Sequence, residues 1–266
     1  MASPGLLTAQ SVRIKQARRL ATRAFRRKAG RFLVEGPQAV REALEHRELV
    51  IEVYAEPAVA TRHRDLYDLA ATAGVQWLEV DRAAIEALSE TVTSQGVVAV
   101  CNLVTVQFRP TGKLVAAGVQ VRDPGNVGTL IRTADAAGAD AVVLSPESVD
   151  PHNPKAVRAS VGSIFHVPIS TDVDIHEAGP IWREQGLQLL AADGYGDTDL
   201  DACIDDGTLA KPTVWLFGNE AHGLPDDINA LVDYSVRVPV YGRAESLNLA
   251  TAAAICLYAS ARAQRQ

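Results

Sequence analysis

Three short segments in the second half of the chain combine glycine, asparagine and charged residues in patterns that suit ligand binding. Segment 1 (122–138) begins Arg-Asp-Pro-Gly-Asn and contains Arg132. A tight turn leading into a helix leaves free backbone N–H groups at the helix start, and such groups bind anions. Arg132 lies about a turn and a half into that helix, where its planar guanidinium suits a phosphate. Segment 1 therefore predicts an anion-binding helix start.

A dinucleotide-binding turn, or a plain strand-to-helix turn, is the alternative interpretation of segment 1. The nicotinamide cofactor turn requires GxGxxG after a strand and an acidic residue about 20 positions later. Here only two residues separate Gly125 from Gly128, and the full pattern is absent. The spacing therefore disfavours a nicotinamide-dependent oxidoreductase.

Segment 2 (216–224) reads Leu-Phe-Gly-Asn-Glu-Ala-His-Gly-Leu, an apolar strand end followed by a polar loop. Gly218 allows backbone to come close to a ligand. The carboxylate of Glu220 can accept hydrogen bonds or orient Arg132, and the alternative is an ordinary loop with Glu220 in solvent. His222 is a lone loop histidine, so we assign it no catalytic role.

Segment 3 (238–254) places Ser246 and Asn248 between a strand end and an alanine-rich helix. Ser246 is also a good helix N-cap, a role that needs no further function. The alanines after it allow close packing of the helix, including packing against a second subunit.

The elements around these segments alternate between strands and helices, which predicts an α/β fold with a mostly parallel sheet. Ligands bind at the carboxyl ends of the strands in such sheets, where all three segments lie. The predicted second domain (113–266) has strands at 114–121, 140–144, 164–169, 187–192, 213–217 and 234–240, and helices at 126–137, 154–161, 175–185 and 247–263. A linker (106–112) separates it from a smaller α/β domain (1–105) with strands at 31–35, 49–54, 75–80 and 96–103, and helices at 11–28, 60–73, 82–88 and from Pro37.

The start of the chain is strongly basic, although the net charge of the protein is -6. Nine lysines and arginines precede Val34, and no acidic residue precedes Glu35. A basic arm on an acidic body is typical of a polyanion binder, and the alternative is a solvated basic helix face. The predicted RNA contacts in this arm are Arg18, Arg19, Arg23, Arg26, Arg27 and Lys28.

The remaining composition narrows the class of protein. No apolar run approaches the roughly 20 residues of a membrane span, and the N-terminus lacks the pattern of a signal peptide. Cys101, Cys203 and Cys256 are odd in number and far apart, which favours reduced thiols and a cytoplasmic protein. No CxxC occurs and the histidines are scattered, so we expect no metal site.

The order and content of segments 1, 2 and 3 resemble motifs 1, 2 and 3 of the SpoU-type (TrmH) branch of the SPOUT RNA 2'-O-ribose methyltransferases. The resemblance covers about 113–266 and includes Asn-Pro-Lys-Ala-Val-Arg-Ala-Ser-Val-Gly-Ser at 153–163. The first half, with Phe-Leu-Val-Glu-Gly at 32–36, looks like the L30e-like substrate-binding domain of members that act on ribosomal RNA.

The resemblance implies a deep trefoil knot in the second domain, S-adenosylmethionine as methyl donor, and a homodimer formed partly by the last helix. It implies methylation of RNA, most simply 23S ribosomal RNA, and leaves open a transfer-RNA substrate, an antibiotic-resistance role and a non-catalytic RNA-binding protein. The implied donor-binding positions, through their backbone, are Leu216, Phe217, Gly218, Val238, Val240 and Leu247. The implied reaction centre is Asn126, Arg132, Glu220, Ser246 and Asn248.

The role of Arg132 stays open between two readings. An arginine is almost always protonated, which favours a clamp on the phosphate beside the reacting ribose. A strong shift of its pKa by the site would instead make it the base.

Overall fold

The computed structural model describes residues 5–109, 112–219 and 223–266, and they form two compact units. The first unit comprises residues up to Val104 together with Asp150–Phe165, and the second comprises Thr105–Val149 and His166–Gln266. The sequence boundaries place the stretch 150–165 in the second domain, whereas in the structure it packs with the first unit. The chain therefore passes between the units three times.

The elements follow each other along the chain as strand and helix in alternation, with short additional helices. In chain order they are α1 (Val12–Arg18), α2 (Arg23–Ala29), β1 (Arg31–Glu35), α3 (Pro37–Glu45), β2 (Val50–Ala55), α4 (Pro57–Arg62), α5 (Arg64–Ala73), β3 (Gln76–Glu79), α6 (Arg82–Leu88), β4 (Val97–Asn102), β5 (Leu114–Gly118), α7 (Pro124–Ala137), β6 (Ala141–Leu144), α8 (Pro154–Ser160), β7 (Ile169–Ser170), α9 (Ile175–Glu184), β8 (Gln188–Ala192), β9 (Thr198–Asp199), α10 (Leu200–Asp205), β10 (Thr213–Phe217), α11 (Asp226–Asn229), β11 (Tyr234–Arg237) and α12 (Leu249–Ala263).

The two units contain sheets of different kinds. The first unit has a four-stranded sheet of order β1-β4-β2-β3, in which β4 runs antiparallel to both neighbours and only β2 and β3 are parallel. The second unit has a seven-stranded sheet of order β7-β6-β5-β10-β8-β11-β9, in which every pair is parallel. The α/β class and the parallel sheet agree with the sequence prediction.

The centre of the parallel sheet is buried on both faces, as crossover helices require. Every residue of β5 and of β10 is buried. Trp182 of α9 is fully buried in a cluster with Leu189 and Val214. This packing gives the strand ends a fixed position.

Three predicted elements differ from the structure, and one of them is the helix predicted at 60–73, which is divided into α4 and α5 at His63. The helix predicted at 11–28 is interrupted at Thr22, whose backbone is extended with φ −94° and ψ 136° and whose hydroxyl donates to the Arg19 carbonyl. The strand predicted at 164–169 is a 3₁₀ turn, Ser163–Phe165, followed by the two-residue strand β7. A short apolar run does not show whether it forms a helix or a strand, because either element can bury apolar side chains.

Candidate active site

The loops that carry segments 1, 2 and 3 emerge from the same edge of the parallel sheet. Phe217 at the end of β10 pairs with Gly118 at the end of β5 and with Ala192 at the end of β8. Ala192 pairs in turn with Val236 near the end of β11. Because these strands are parallel, their carboxyl ends lie together, where ligands of open α/β sheets bind.

Segment 1 forms the start of α7, and the sequence explains its geometry. Pro124 occupies the first turn, and the Asp123 carboxylate caps the helix by accepting a hydrogen bond from the Asn126 N–H at 3.0 Å. Arg132 follows on the same helix with an exposed side chain. Within the described part of the chain its guanidinium makes no hydrogen bond or ion pair, so it can bind an anionic ligand.

Asn248 of segment 3 connects the start of α12 to segment 1. Its Oδ1 caps α12 by accepting from the N–H groups of Ala250 and Thr251. Its Nδ2 donates to Asn126 Oδ1 at 3.0 Å. Because the cap fixes which end of the Asn248 amide is the oxygen, the Asn126 oxygen is the acceptor. Two predicted site residues 122 positions apart are therefore in direct contact.

Ser246 does not cap the helix; Asn248 does. Its exposed side chain lies in the loop between β11 and α12, where it can contact a substrate.

Segment 2 leaves β10 through a close backbone contact. A Cβ on Gly218 would lie 2.3 Å from the Gly223 carbonyl carbon, so only glycine fits. Asn219 and Gly223 exchange backbone hydrogen bonds of 3.0 and 2.8 Å. Glu220, predicted in the reaction centre, lies outside the described residues.

The predicted donor-binding positions differ in exposure. Leu216 and Phe217 are buried in the sheet, so only their backbone is open to a ligand. Gly218, Val238 and Leu247 are partly exposed, and Val240 is exposed. Apolar side chains next to backbone donors and acceptors suit an adenosyl group, whose ring needs both. The residues at this edge therefore fit S-adenosylmethionine.

The basic arm of the first unit is exposed except at one position. Arg18, Arg19, Arg23, Arg27 and Lys28 have exposed side chains. Arg26 is only 2% exposed, which removes it from the predicted RNA contacts. Its Nε and Nη2 donate to Asp150 at 2.8 and 2.7 Å, and its Nη1 donates to the carbonyls of Leu20 and Ala21.

The carboxylate that holds Arg26 is itself fully engaged. Asp150 accepts hydrogen bonds from the backbone N–H and the Nδ1 of His152, at 2.9 and 3.1 Å. The Nε2 of His152 accepts from the Val104 N–H at 3.2 Å. Burial alone would raise the pKa of Asp150, but the His152 hydrogen bonds and the Arg26 charge hold it well below its usual value. Arg26, Asp150 and His152 therefore form one buried network.

The described residues include no group of three histidine, cysteine or acidic side chains that could hold a metal ion. The three cysteines are unpaired and buried. Among the described helices, none is long and apolar enough to span a bilayer.

The strand-edge geometry agrees with comparisons to known proteins. Residues 113–258 match the model of the SpoU rRNA Methylase family. This chain belongs to the SpoU rRNA methylase family. Residues 12–99 match the MRM3-like substrate binding domain. The two matches agree with the family resemblance of the two halves.

Relatives of known name support the same family along nearly the whole chain. The chain is 34% identical over 255 residues to the Bacillus subtilis 23S rRNA (guanosine(2553)-2'-O)-methyltransferase RlmP, covering 94% of this chain and 96% of that protein. Among solved structures, an AdoMet-bound rRNA methyltransferase from Sinorhizobium meliloti superposes with a TM-score of 0.79 at 30% identity, covering 97% of this chain and 98% of that chain. AviRb from Streptomyces viridochromogenes in complex with AdoMet superposes with a TM-score of 0.80 at 30% identity, covering 96% and 99%.

Proposed function

We propose that this protein transfers a methyl group from S-adenosylmethionine to the 2'-hydroxyl of a ribose in 23S ribosomal RNA. The observation that carries the proposal is the contact between Asn126 and Asn248, because Asn126 lies on the same helix as Arg132, an exposed arginine with no partner in the described part of the chain. The relative RlmP, which is named a 23S rRNA 2'-O-methyltransferase, supports the same reaction and substrate.

The second unit performs the transfer by positioning the ribose. When bound, the donor would supply the methyl group and would be left as S-adenosylhomocysteine, while the 2'-hydroxyl would lose its proton to water. Arg132 binds the phosphate next to that ribose with its guanidinium fork. Asn126, held by Asn248, orients the sugar, and Ser246 contacts the substrate from the loop before α12. Glu220 orients Arg132. Fixed geometry of this kind supplies several kcal/mol of the barrier.

The first unit selects the RNA. The exposed cations of the arm offer phosphate contacts that carry no base preference. The base is therefore chosen by RNA shape and by the loops around the site. The proposal includes a cytoplasmic location, which a ribosomal-RNA substrate and the unpaired cysteines support.

The protein works as a homodimer, and its second unit has the trefoil knot that the family resemblance implies. Tyr258 and Ile255 on α12 are 68% and 37% exposed. Large apolar side chains exposed on one helix favour burial against a second copy. Light scattering should give the mass of a dimer at working concentration, and a monomer mass would contradict this assignment.

The experiment that tests the proposal is transfer of labelled methyl from S-adenosylmethionine to unmodified total RNA, fractionated by size, with Arg132→Ala in parallel. Label in large ribosomal RNA that is lost in the variant is the expected result. Label in transfer RNA would mean that the substrate is transfer RNA and not ribosomal RNA. Absence of label in every fraction, together with absence of donor binding, would favour an RNA-binding protein without catalysis.

A further inference from the structure

The turn between β5 and segment 1 contains a residue in an unfavourable backbone conformation. Gln120 has φ 51°, the left-handed region in which an L side chain crowds its own backbone. Glycine takes this conformation freely, and asparagine takes it more readily than glutamine does. Such a residue persists only where its surroundings hold it in place.

Side chains from two other loops hold both peptide groups of Gln120. Its N–H donates to Ser145 Oγ at 2.9 Å, in the loop that follows β6. Its carbonyl accepts from Asn219 Nδ2 at 3.2 Å, in the loop that follows β10. The next residue, Val121, donates its N–H to Ser148 Oγ at 3.2 Å. We call this arrangement the Gln120 turn (residues 119–121).

The two serines that accept hydrogen bonds from the turn are buried, whereas Gln120 and Asn219 are partly exposed. Ser145 and Ser148 are 5% and 6% exposed, and the Val121 carbonyl accepts from the Val149 N–H at 2.9 Å. A buried amide that loses its partner costs free energy, so the turn cannot flip without breaking several bonds at once. The left-handed conformation of Gln120 is therefore imposed from outside the turn.

The Gln120 turn fixes the direction of the chain immediately before the active-site helix. Two residues after Val121, Asp123 caps α7 by accepting from the Asn126 N–H. Asn219 in turn is the residue before Glu220, and its backbone is hydrogen-bonded to Gly223. One amide, that of Asn219, therefore connects the segment 2 loop to the start of segment 1.

We infer that Asn219 and Ser145 are positioning residues for methyl transfer, and that they act by holding the Gln120 turn in its left-handed conformation. The inference rests on the proposed function for its catalytic part. Neither residue contacts the ribose in this account. Each sets where Asn126 and Arg132 lie at the strand edge.

The first experiment compares Asn219→Ala and Ser145→Ala with a matched control, Asn229→Ala. Asn229 is an exposed asparagine at the end of α11 in the same unit. We expect kcat to fall by about tenfold to a hundredfold in both turn variants, the range for a small misplacement of reacting groups. The RNA KM should stay near the wild-type value, because substrate binding is not removed. A loss as large in Asn229→Ala, or a loss confined to KM, would overturn the inference.

The second experiment separates the turn from any direct effect of Asn219 on its neighbour Glu220. Glycine populates left- and right-handed backbone about equally. In a Gln120→Gly background, the hydrogen bond from Asn219 therefore has less backbone strain to overcome. Asn219→Ala should then reduce kcat only about twofold relative to Gln120→Gly alone. An equal loss in both backgrounds would show that Asn219 acts elsewhere and would overturn the inference.

Hydrogen exchange distinguishes failure of the inference from failure of the proposed function. The amides of Gln120 and Val121 should exchange faster in Ser145→Ala and Asn219→Ala than in Asn229→Ala. Unchanged exchange would overturn the inference whatever the activity. Faster exchange in a protein that methylates no RNA would leave the turn as described and overturn the proposed function together with the catalytic role.

Discussion

The two units use arginine in opposite ways. In the first unit, Arg26 is buried and bonds to Asp150 and to two backbone carbonyls. In the second unit, Arg132 is exposed and has no partner in the described part of the chain. A buried charge is tolerated only when it is fully bonded, so Arg26 can serve structure alone. The exposed guanidinium of Arg132 on α7 retains its bonding capacity for a ligand.

The two sheets show the same contrast. The mixed sheet of the first unit sends strand ends to both sides, since β4 runs against β1 and β2. The parallel sheet of the second unit collects all its carboxyl ends at one edge. The parallel topology therefore brings the loops after the strands together in the second unit, whereas the mixed topology separates them in the first. This difference agrees with the proposal that the second unit performs the transfer and the first unit selects the RNA.

The largest effect is expected at Arg132. Arg132→Ala removes the proposed phosphate clamp and should lower kcat about a hundredfold to a thousandfold, as for other groups that stabilise charge at a reaction centre. Arg132→Lys retains the charge but not the planar fork of the guanidinium, so its kcat should lie between those of Arg132→Ala and the wild type. Calorimetry should give an unchanged affinity for S-adenosylmethionine. Near-normal methyl transfer by Arg132→Ala would break the contrast between the two arginines.

Substitution of Arg26 should lower the stability of the protein, in contrast to the effect on catalysis expected at Arg132. Arg26→Met leaves the Asp150 carboxylate buried without its cation, which should lower the free energy of unfolding by about 3–5 kcal/mol. The neighbouring Arg27 is exposed, so Arg27→Met should change it by no more than about 0.5 kcal/mol. Urea denaturation measures both. Equal effects of the two substitutions would mean that the buried network does not stabilise the unit.

The same network predicts a pH dependence of stability. The pKa of Asp150 is lowered in the folded protein, so its stabilising effect is complete above the pKa of an unfolded aspartate, about 3.9. Below that pH the Asp150 carboxylate is protonated in the unfolded chain but stays ionised in the folded protein. Stability should therefore fall as the pH drops below about 4, by up to about 1.4 kcal/mol per pH unit. Asp150→Asn should flatten the profile, and an unchanged slope would exclude Asp150 as its source.

The smallest effects are expected in the exposed arm. Arg27→Ala and Lys28→Ala should each weaken RNA binding modestly and reduce the slope of log affinity against log salt by about 0.7 to 0.9. Arg64, which lies outside the arm and pairs with Asp68 at 2.9 Å, provides the control substitution Arg64→Ala. Filter binding across a salt series measures the slopes. Identical slopes in all three variants would move the RNA contacts away from the arm.

The sequence predicts the central parallel strands and the end of α7 well, because both leave local signals. Gly138 marks the end of α7, whose start was predicted at 126 and lies at Pro124, and a continuous apolar run marks β10. The position of Thr22 as a break and the turn at 163–165 leave no such signal, since each depends on what the residue packs against. Local sequence patterns therefore predict where a helix or strand lies better than they predict where it is interrupted.

The candidate site was predictable only as far as chemistry is visible in residue types. Asn126, Arg132 and Asn248 stand out beside glycines at strand ends, and the structure brings Asn126 and Asn248 into contact. The burial of Arg26 was not predictable, because its partner Asp150 is 124 positions away and composition does not distinguish it from Arg27. The role of Ser145 depends on the conformation of Gln120, which no sequence pattern indicates.

The most direct test of the central claim is the chemical form of the methylated product. Large ribosomal RNA labelled by the wild-type protein should be hydrolysed with alkali, and the labelled fragments separated by length. A methyl group on the 2'-oxygen blocks the attack on the adjacent phosphate, so the account predicts label in an alkali-stable dinucleotide. Label in a mononucleotide would mean methylation of a base, and it would contradict the assignment of this active site to the ribose hydroxyl.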